Sequence, residues 1–236
     1  MINLRDMSKL VVVEDVHKDE AAILVVLTAI MENRLSNDIK LLNYYKGLSV
    51  NFDASVQFID RNEVEMKVHD LQSAAMLMQK STFIRSDHLP YGVIAKVNKI
   101  RKGTNIAFLS NFAYVTIPAE RRIYVRVKVS DKMEAHFQDS NHLVKGAIED
   151  ISFAGIAIKA PEGIILEEET AGKVIIWLPD GKVEVPGKLI NVREGDVSMK
   201  YIFELRADTK SERLIFQFIF KQQSKILKEL KDLASR

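Results

Sequence analysis

The chain has 236 residues, 47% of them hydrophobic and 28% charged, which excludes a disordered tail or a membrane bundle and suits two domains of ordinary size. A net charge of +2 excludes a chain-wide basic field, so an anionic partner must be met by a local cluster of Lys and Arg, and bulk nucleic-acid binding is not expected. The absence of cysteine removes disulfides, thiolate metal sites and cysteine nucleophiles at once.

The N-terminal residues lack the basic start, apolar stretch and cleavage site of a secretory signal. The longest apolar run, Ala21 to Met31, is shorter than the roughly 20 residues a bilayer crossing needs. A cytoplasmic protein with no transmembrane segment is therefore expected. Residues His17 to Leu42 are mostly helix formers, and the run Ala21 to Met31 is apolar on every face, which predicts a helix buried on all sides. From Leu48 the texture becomes β-branched. Ser49–Ile59 and Val64–His69 read as strands around a turn at Asp60-Arg61-Asn62, followed by a short helix over Leu71–Gln79. Phe83–Ile84, Gly92–Ile100 and Asn105–Leu109 are further predicted strands, with Lys102-Gly103-Thr104 as a tight turn. Residues 1–116 thus read as a helical segment plus a small β-barrel domain.

Pro118 and the charges around it break ladder continuation between Tyr114 and Tyr124, which sets a domain boundary there. Residues 117–236 then carry predicted strands over Tyr124–Ser130, Lys132–Phe137, Leu143–Asp150, Gly155–Lys159, Lys173–Leu178, Lys182–Val192 and Val197–Phe203. Pro179-Asp180-Gly181 is the clearest hairpin turn. Many short antiparallel strands favour a closed barrel, since closure removes exposed edges. A helix over Ser211–Leu233, started by a Thr209-x-x-Glu212 capping box, carries the stripe Leu214, Ile215, Phe218, Ile219, Ile226, Leu227 and Leu230. Packing on the barrel is the plain reading of that stripe, and a helix-mediated homodimer is the sharper one. The expected fold is mainly β, two small antiparallel β-barrels with an N-terminal helical segment and a C-terminal helix.

One constellation stands out. In Arg121-Arg122-Ile123-Tyr124-Val125-Arg126-Val127-Lys128-Val129 the apolar residues alternate, so Arg122, Tyr124, Arg126 and Lys128 share the other face of a strand. Arg122 and Arg126 would stand about 13 Å apart at ~3.3 Å per residue, the scale of a ligand with two separated anionic groups. A guanidinium also makes two parallel bonds to phosphate oxygens or to the O6 and N7 edge of guanine. Asp150-Ile151-Ser152-Phe153-Ala154-Gly155 lies between two predicted strands. It reads as a turn in which Gly155 is free to take a positive φ, while Asp150 accepts from guanine N–H donors with the Ser152 hydroxyl nearby.

Arg122-x-x-x-Arg126 preceded by Arg121, followed by Asp150-x-Ser152-x-x-Gly155, resembles the signature of PilZ domains, the bacterial receptors for cyclic di-GMP. The resemblance covers the second half, from Glu120 to the terminal helix. It implies that the Arg side chains hold phosphates and guanine edges, that Asp150 and Ser152 hold guanine, and that Gly155 keeps the turn clear. Arg121 is similar to a linker residue that favours two intercalated ligand molecules over one. The layout from Tyr44 through Tyr114 is similar to the N-terminal split barrel of flagellar-brake proteins, which implies a split-barrel-like domain over residues 1–116. Together these imply a cyclic di-GMP effector, without other cofactors, that converts binding into domain orientation. Its output would run through a protein partner such as a flagellar motor component, acting on motility, biofilm or polysaccharide.

Other features read as structural. His136 and His142 lack a supporting carboxylate cluster for a metal, and Glu167-Glu168-Glu169 reads as a solvated loop. Trp177, Phe216, Phe218 and Phe220 are large apolar anchors whose default place is the core, with an interface as the second reading. No nucleophile motif or phosphate-binding glycine loop is present, so no catalysis is expected. The rival readings are an adaptor that keeps the barrel without binding nucleotide, a flavin-binding barrel, and a single-strand nucleic-acid binder.

Overall fold

The computed structural model describes residues 8–101, 103–117, 124–129, 133–161, 164–195 and 198–235. Arg121, Arg122 and the boundary residue Pro118 lie outside them, as do Lys102, Ser130, Lys132 and Val197 of the predicted turns and strands. The chain forms two compact units, Met1–Arg122 with Leu227–Arg236, and Ile123–Ile226. Pro118 and the charges beside it predict a division at 116/117 with the last ten residues in the second domain, whereas those residues group with the first unit.

In the first unit, strand β1 (Lys9–Leu10) precedes helix α1 (Val16–Met31). Asp15 caps α1 by accepting from the N–H groups of His17 and Lys18 at 3.0 and 2.9 Å, satisfying donors the helix cannot. The helix stops eleven residues before the predicted Leu42, because Asn33 turns left-handed (φ 58°) and the N–H groups of Arg34 and Leu35 fold back onto Ala29. Nor is it buried on every face: Ile23 and Leu27 are fully covered, whereas Val25 is 65% exposed.

Strands β2 (Lys40–Tyr45), β3 (Leu48–Asp53), β4 (Ser55–Asp60) and β5 (Glu63–Lys67) follow, then α2 (Asp70–Gln79), β6 (Ser81–Arg85), β7 (Gly92–Arg101) and β8 (Ile106–Thr116). The single strand expected over Ser49–Ile59 is two, broken at Ala54, whose N–H leaves the ladder for the Ile39 carbonyl. Lys46 and Gly47 (φ 51° and 88°) make a two-residue turn between β2 and β3, the left-handed pair that matches strand twist. The sheet runs β3-β2-β6-β7-β8-β5-β4, with β1 on β8, and every pairing is antiparallel. Its core joins Ile23 and Leu27 to Val64, Met66, Ile84 and Leu109.

In the second unit, strands β9 (Arg126–Lys128), β10 (Glu134–Gln138), β11 (Leu143–Ser152), β12 (Gly155–Ala160), β13 (Ala171–Leu178), β14 (Gly181–Glu194) and β15 (Met199–Leu205) precede α3 (Thr209–Ala234). The order β10-β13-β14-β15-β12-β11 returns to β10, so six strands close an antiparallel barrel with β9 added outside β11. Closure leaves no unpaired edge within the ring. Phe137 and Phe203 stack at 4.5 Å in its interior. The predicted Pro179-Asp180-Gly181 turn is present as a two-residue loop, Pro179 and Asp180, with Gly181 already paired to Leu178.

Helix α3 starts one cap earlier than the Thr209 box predicts: the Asp208 side chain accepts from the Ser211 N–H at 2.8 Å. Ile215, Phe218, Ile226 and Leu230 are buried, but Leu227 of the expected stripe is 39% exposed. Three of the four aromatics assigned to the core are also outside it, Trp177 at 41%, Phe216 at 60% and Phe220 at 61% exposure, while Phe218 is buried. Among the described residues no helix is long and apolar enough to cross a membrane.

Candidate functional site

The predicted cationic strand is realised only over Arg126–Lys128. Val127 is fully buried, which fixes the Arg126 and Lys128 side chains on the outer side of β9, but Val125 is 42% exposed, so the alternation does not extend back to the linker. Three residues of β9 pair with β11, placing Arg126 opposite Ser152, Val127 opposite Ile151 and Lys128 opposite Asp150.

The Asp150-x-Ser152-x-x-Gly155 segment is a tight hairpin, its turn shorter than the sequence predicts because β11 continues past Asp150 to Ser152. Asp150 and Ser152 belong to β11, Gly155 opens β12, and only Phe153 and Ala154 lie between the paired Ser152 and Gly155. Residues held in a ladder keep their geometry better than residues on a loop. Ser152 is buried and its hydroxyl donates to the Gly155 carbonyl at 3.2 Å. Gly155 does not use a left-handed backbone; it is needed for close approach, since a Cβ there would stand 3.0 Å from the Phe203 carbonyl oxygen of the neighbouring β15. Tyr124 reaches the same hairpin, its ring 5.3 Å from that of Phe153.

A bulge gives the site its charge pattern. In β11 the register with β12 slips between Ile148 and Asp150, leaving Glu149 as the extra residue. Ile148 and Ile151 both point inward and are buried, so Glu149 and Asp150 between them both lie on the outer, half-buried side. Strict alternation would have turned one carboxylate into the barrel core. Three cations answer them. Arg126 Nη1 lies 3.8 Å from Asp150 Oδ1, and Lys128 Nζ lies 4.0 Å from Glu149 Oε1. Lys200 of β15 bridges both carboxylates, at 3.0 Å from Glu149 Oε1 and 3.4 Å from Asp150 Oδ2. The Asp150 side chain is only 15% exposed and Arg126 34%, so this patch is partly shielded from solvent and its pairings are worth more than those of fully wet ions.

The structure therefore gathers Arg126, Asp150, Ser152 and Gly155 in one patch, while Arg121 and Arg122 lie outside the described residues. Glu149 and Lys200 were not singled out in the sequence. Glu149 carries a readable signal, since Glu-Asp between two isoleucines breaks alternation. Lys200 carries none, because it lies about fifty residues on and meets Asp150 only through the barrel register.

His136 and His142 each have local partners. His136 packs edge-on to Trp177 at 4.5 Å, and burial, helped by nearby Lys145, lowers its pKa. His142 closes a turn with Asp139, whose carboxylate accepts from the N–H groups of Asn141 and His142.

Residues 120–221 match the PilZ domain family. No curated protein matches the sequence. Among solved structures the chain is similar to YcgR of Escherichia coli in complex with c-di-GMP, at 13% identity and TM-score 0.44, covering 99% of this chain and 100% of that one. It is also similar to the K. pneumonia MrkH–c-di-GMP complex (12% identity, TM-score 0.48, 94% of this chain and 99% of that). A third is the Bacillus subtilis inhibitor of motility MotI/DgrA (16% identity, TM-score 0.40, 79% and 96%).

Proposed function

We infer that this chain, whose residues 120–221 are a PilZ domain, binds cyclic di-GMP and carries out no chemistry on it. The observation that carries the reading is the cross-strand patch in which Arg126 faces Ser152 and reaches Asp150. Guanidinium supplies paired donors for a phosphate, and a carboxylate with a hydroxyl beside it supplies acceptors for the N1–H and N2–H donors of guanine. One ligand of two phosphates and two guanines can engage both. Binding replaces the Arg126–Asp150 contact, which spans 3.8 Å and makes no direct hydrogen bond, with shorter charge-assisted bonds to the ligand.

Arg121 and Arg122 stand in sequence at the division between the two units, which falls between Arg122 and Ile123. In this reading they hold phosphates too, and ligand binding sets the orientation of the units as a signal to a protein partner in motility, biofilm or polysaccharide output. Site, ligand and output act in the cytoplasm. Titration calorimetry tests the binding: wild-type protein gives heat with cyclic di-GMP, and Arg122→Ala and Asp150→Ala each abolish it. No heat from the folded wild type, or full heat from both variants, removes the reading. A small-angle scattering curve unchanged at saturation would remove the orientation step alone.

A further inference from the structure

We propose that Lys200 is a specificity-determining residue of this site, the donor that reads guanine O6 and rejects adenine; this rests on the cyclic di-GMP reading above. Lys200 sits opposite Lys159 on β12 and Arg193 on β14, a cross-strand arrangement of like charges that is unfavourable by itself. Its ammonium leaves that row and reaches past β12 to β11, where it meets Glu149 and Asp150. The two oxygens of Asp150 are thus distinguished: Oδ1 faces Arg126 and Oδ2 faces Lys200.

A carboxylate that accepts N1–H and N2–H of guanine has the base's O6 beside it, one position further along the same edge. A donor flanking the carboxylate is placed for that oxygen. With Arg126 committed to phosphate, Lys200 at 3.4 Å from Oδ2 is the flanking cation, and its side chain is 25% exposed against 38% for Lys128. Adenine inverts the pattern. Its amino group would meet the ammonium with a donor and its N1 would meet the carboxylate with an acceptor, so both contacts become repulsive. Glu149 keeps a role here as the second anchor that holds the Lys200 ammonium near Asp150 when the ligand takes one of its partners.

Calorimetric titrations of the full chain with cyclic di-GMP and with cyclic di-AMP, on wild type, Lys200→Met and Lys200→Arg, test this. The expected result is that Lys200→Met weakens cyclic di-GMP binding about tenfold or more and narrows the preference over cyclic di-AMP, while Lys200→Arg retains the preference. Circular dichroism identifies a variant that fails to fold, and Lys200→Gln then replaces Lys200→Met. If wild type binds cyclic di-GMP but the preference is unchanged in the folded variant, or both ligands weaken equally, the assignment is overturned and the binding reading stands. If wild type binds neither ligand, both fall together.

Discussion

At the scale of single residues, the site depends on which side chains share a face, and that is decided by backbone register more than by residue type. Arg126, Asp150, Ser152 and Gly155 were legible because each carries its chemistry in a short spacing that survives without a structure. Lys200 was not, since a lone lysine in a strand is a solvated cation until the barrel brings it to Asp150. Val125 shows the opposite error: an alternation that looks like one strand is broken before Arg126, because only three residues find a partner in β11. Residue chemistry also predicts a pH response away from the site. His136 has its pKa lowered from 6.5, first by burial and then by Lys145. Below about 6.5 the unfolded chain takes up a proton that the folded barrel disfavours, so this contribution to stability is full at higher pH and is lost as pH falls toward the folded value. Urea midpoints of the wild type should therefore drop more steeply than those of His136→Gln between about pH 7.5 and pH ~5.5; equal slopes would mean that His136 is not the group responsible.

At the scale of elements, the β11–β12 hairpin is a rigid platform with one deliberate irregularity. The Glu149 bulge turns two consecutive carboxylates outward, and Gly146 lets β12 approach the same strand closely. A Cβ at Gly146 would lie 2.3 Å from the Lys159 carbonyl oxygen and 2.9 Å from Ile158 Cγ2, distances no real side chain tolerates without a backbone shift. Gly146→Ala should cost roughly 1–3 kcal/mol in urea unfolding, through overpacking at a backbone contact; a neutral change would show that Lys159 gives way there without cost. Strand positions and the Pro179–Asp180 turn were readable from β-branched runs and turn residues. Helix ends were read less well: competition among neighbouring Asp, Thr and Ser residues moved the cap of α3 from Thr209 to Asp208, and Asn33 ended α1 without Gly or Pro to announce it.

At the scale of the whole molecule, a division into two units is legible from Pro118 and the charges around it, but the destination of the chain's last residues is not. Residues 227–236 group with the first unit, where Leu230 is fully buried with Val50, Ala74 and Ala75, and Glu229 pairs with Lys46 at 2.5 Å. A stripe on a helix says that something covers it and leaves open what. Leu230→Ala should destabilise the first unit by about 2–4 kcal/mol, seen as earlier loss of its part of the thermal transition; an unchanged first transition would place those residues elsewhere. A crystal structure of the complex decides whether the same cyclic di-GMP molecule is held by Arg126 of β9 and by the β11–β12 hairpin at Asp150. The expected result is a phosphate on Arg126 and a guanine edge of the same ligand on Asp150, with Ser152 beside it. A ligand bound elsewhere, with the Arg126–Asp150 and Lys200–Asp150 contacts undisturbed, would contradict it.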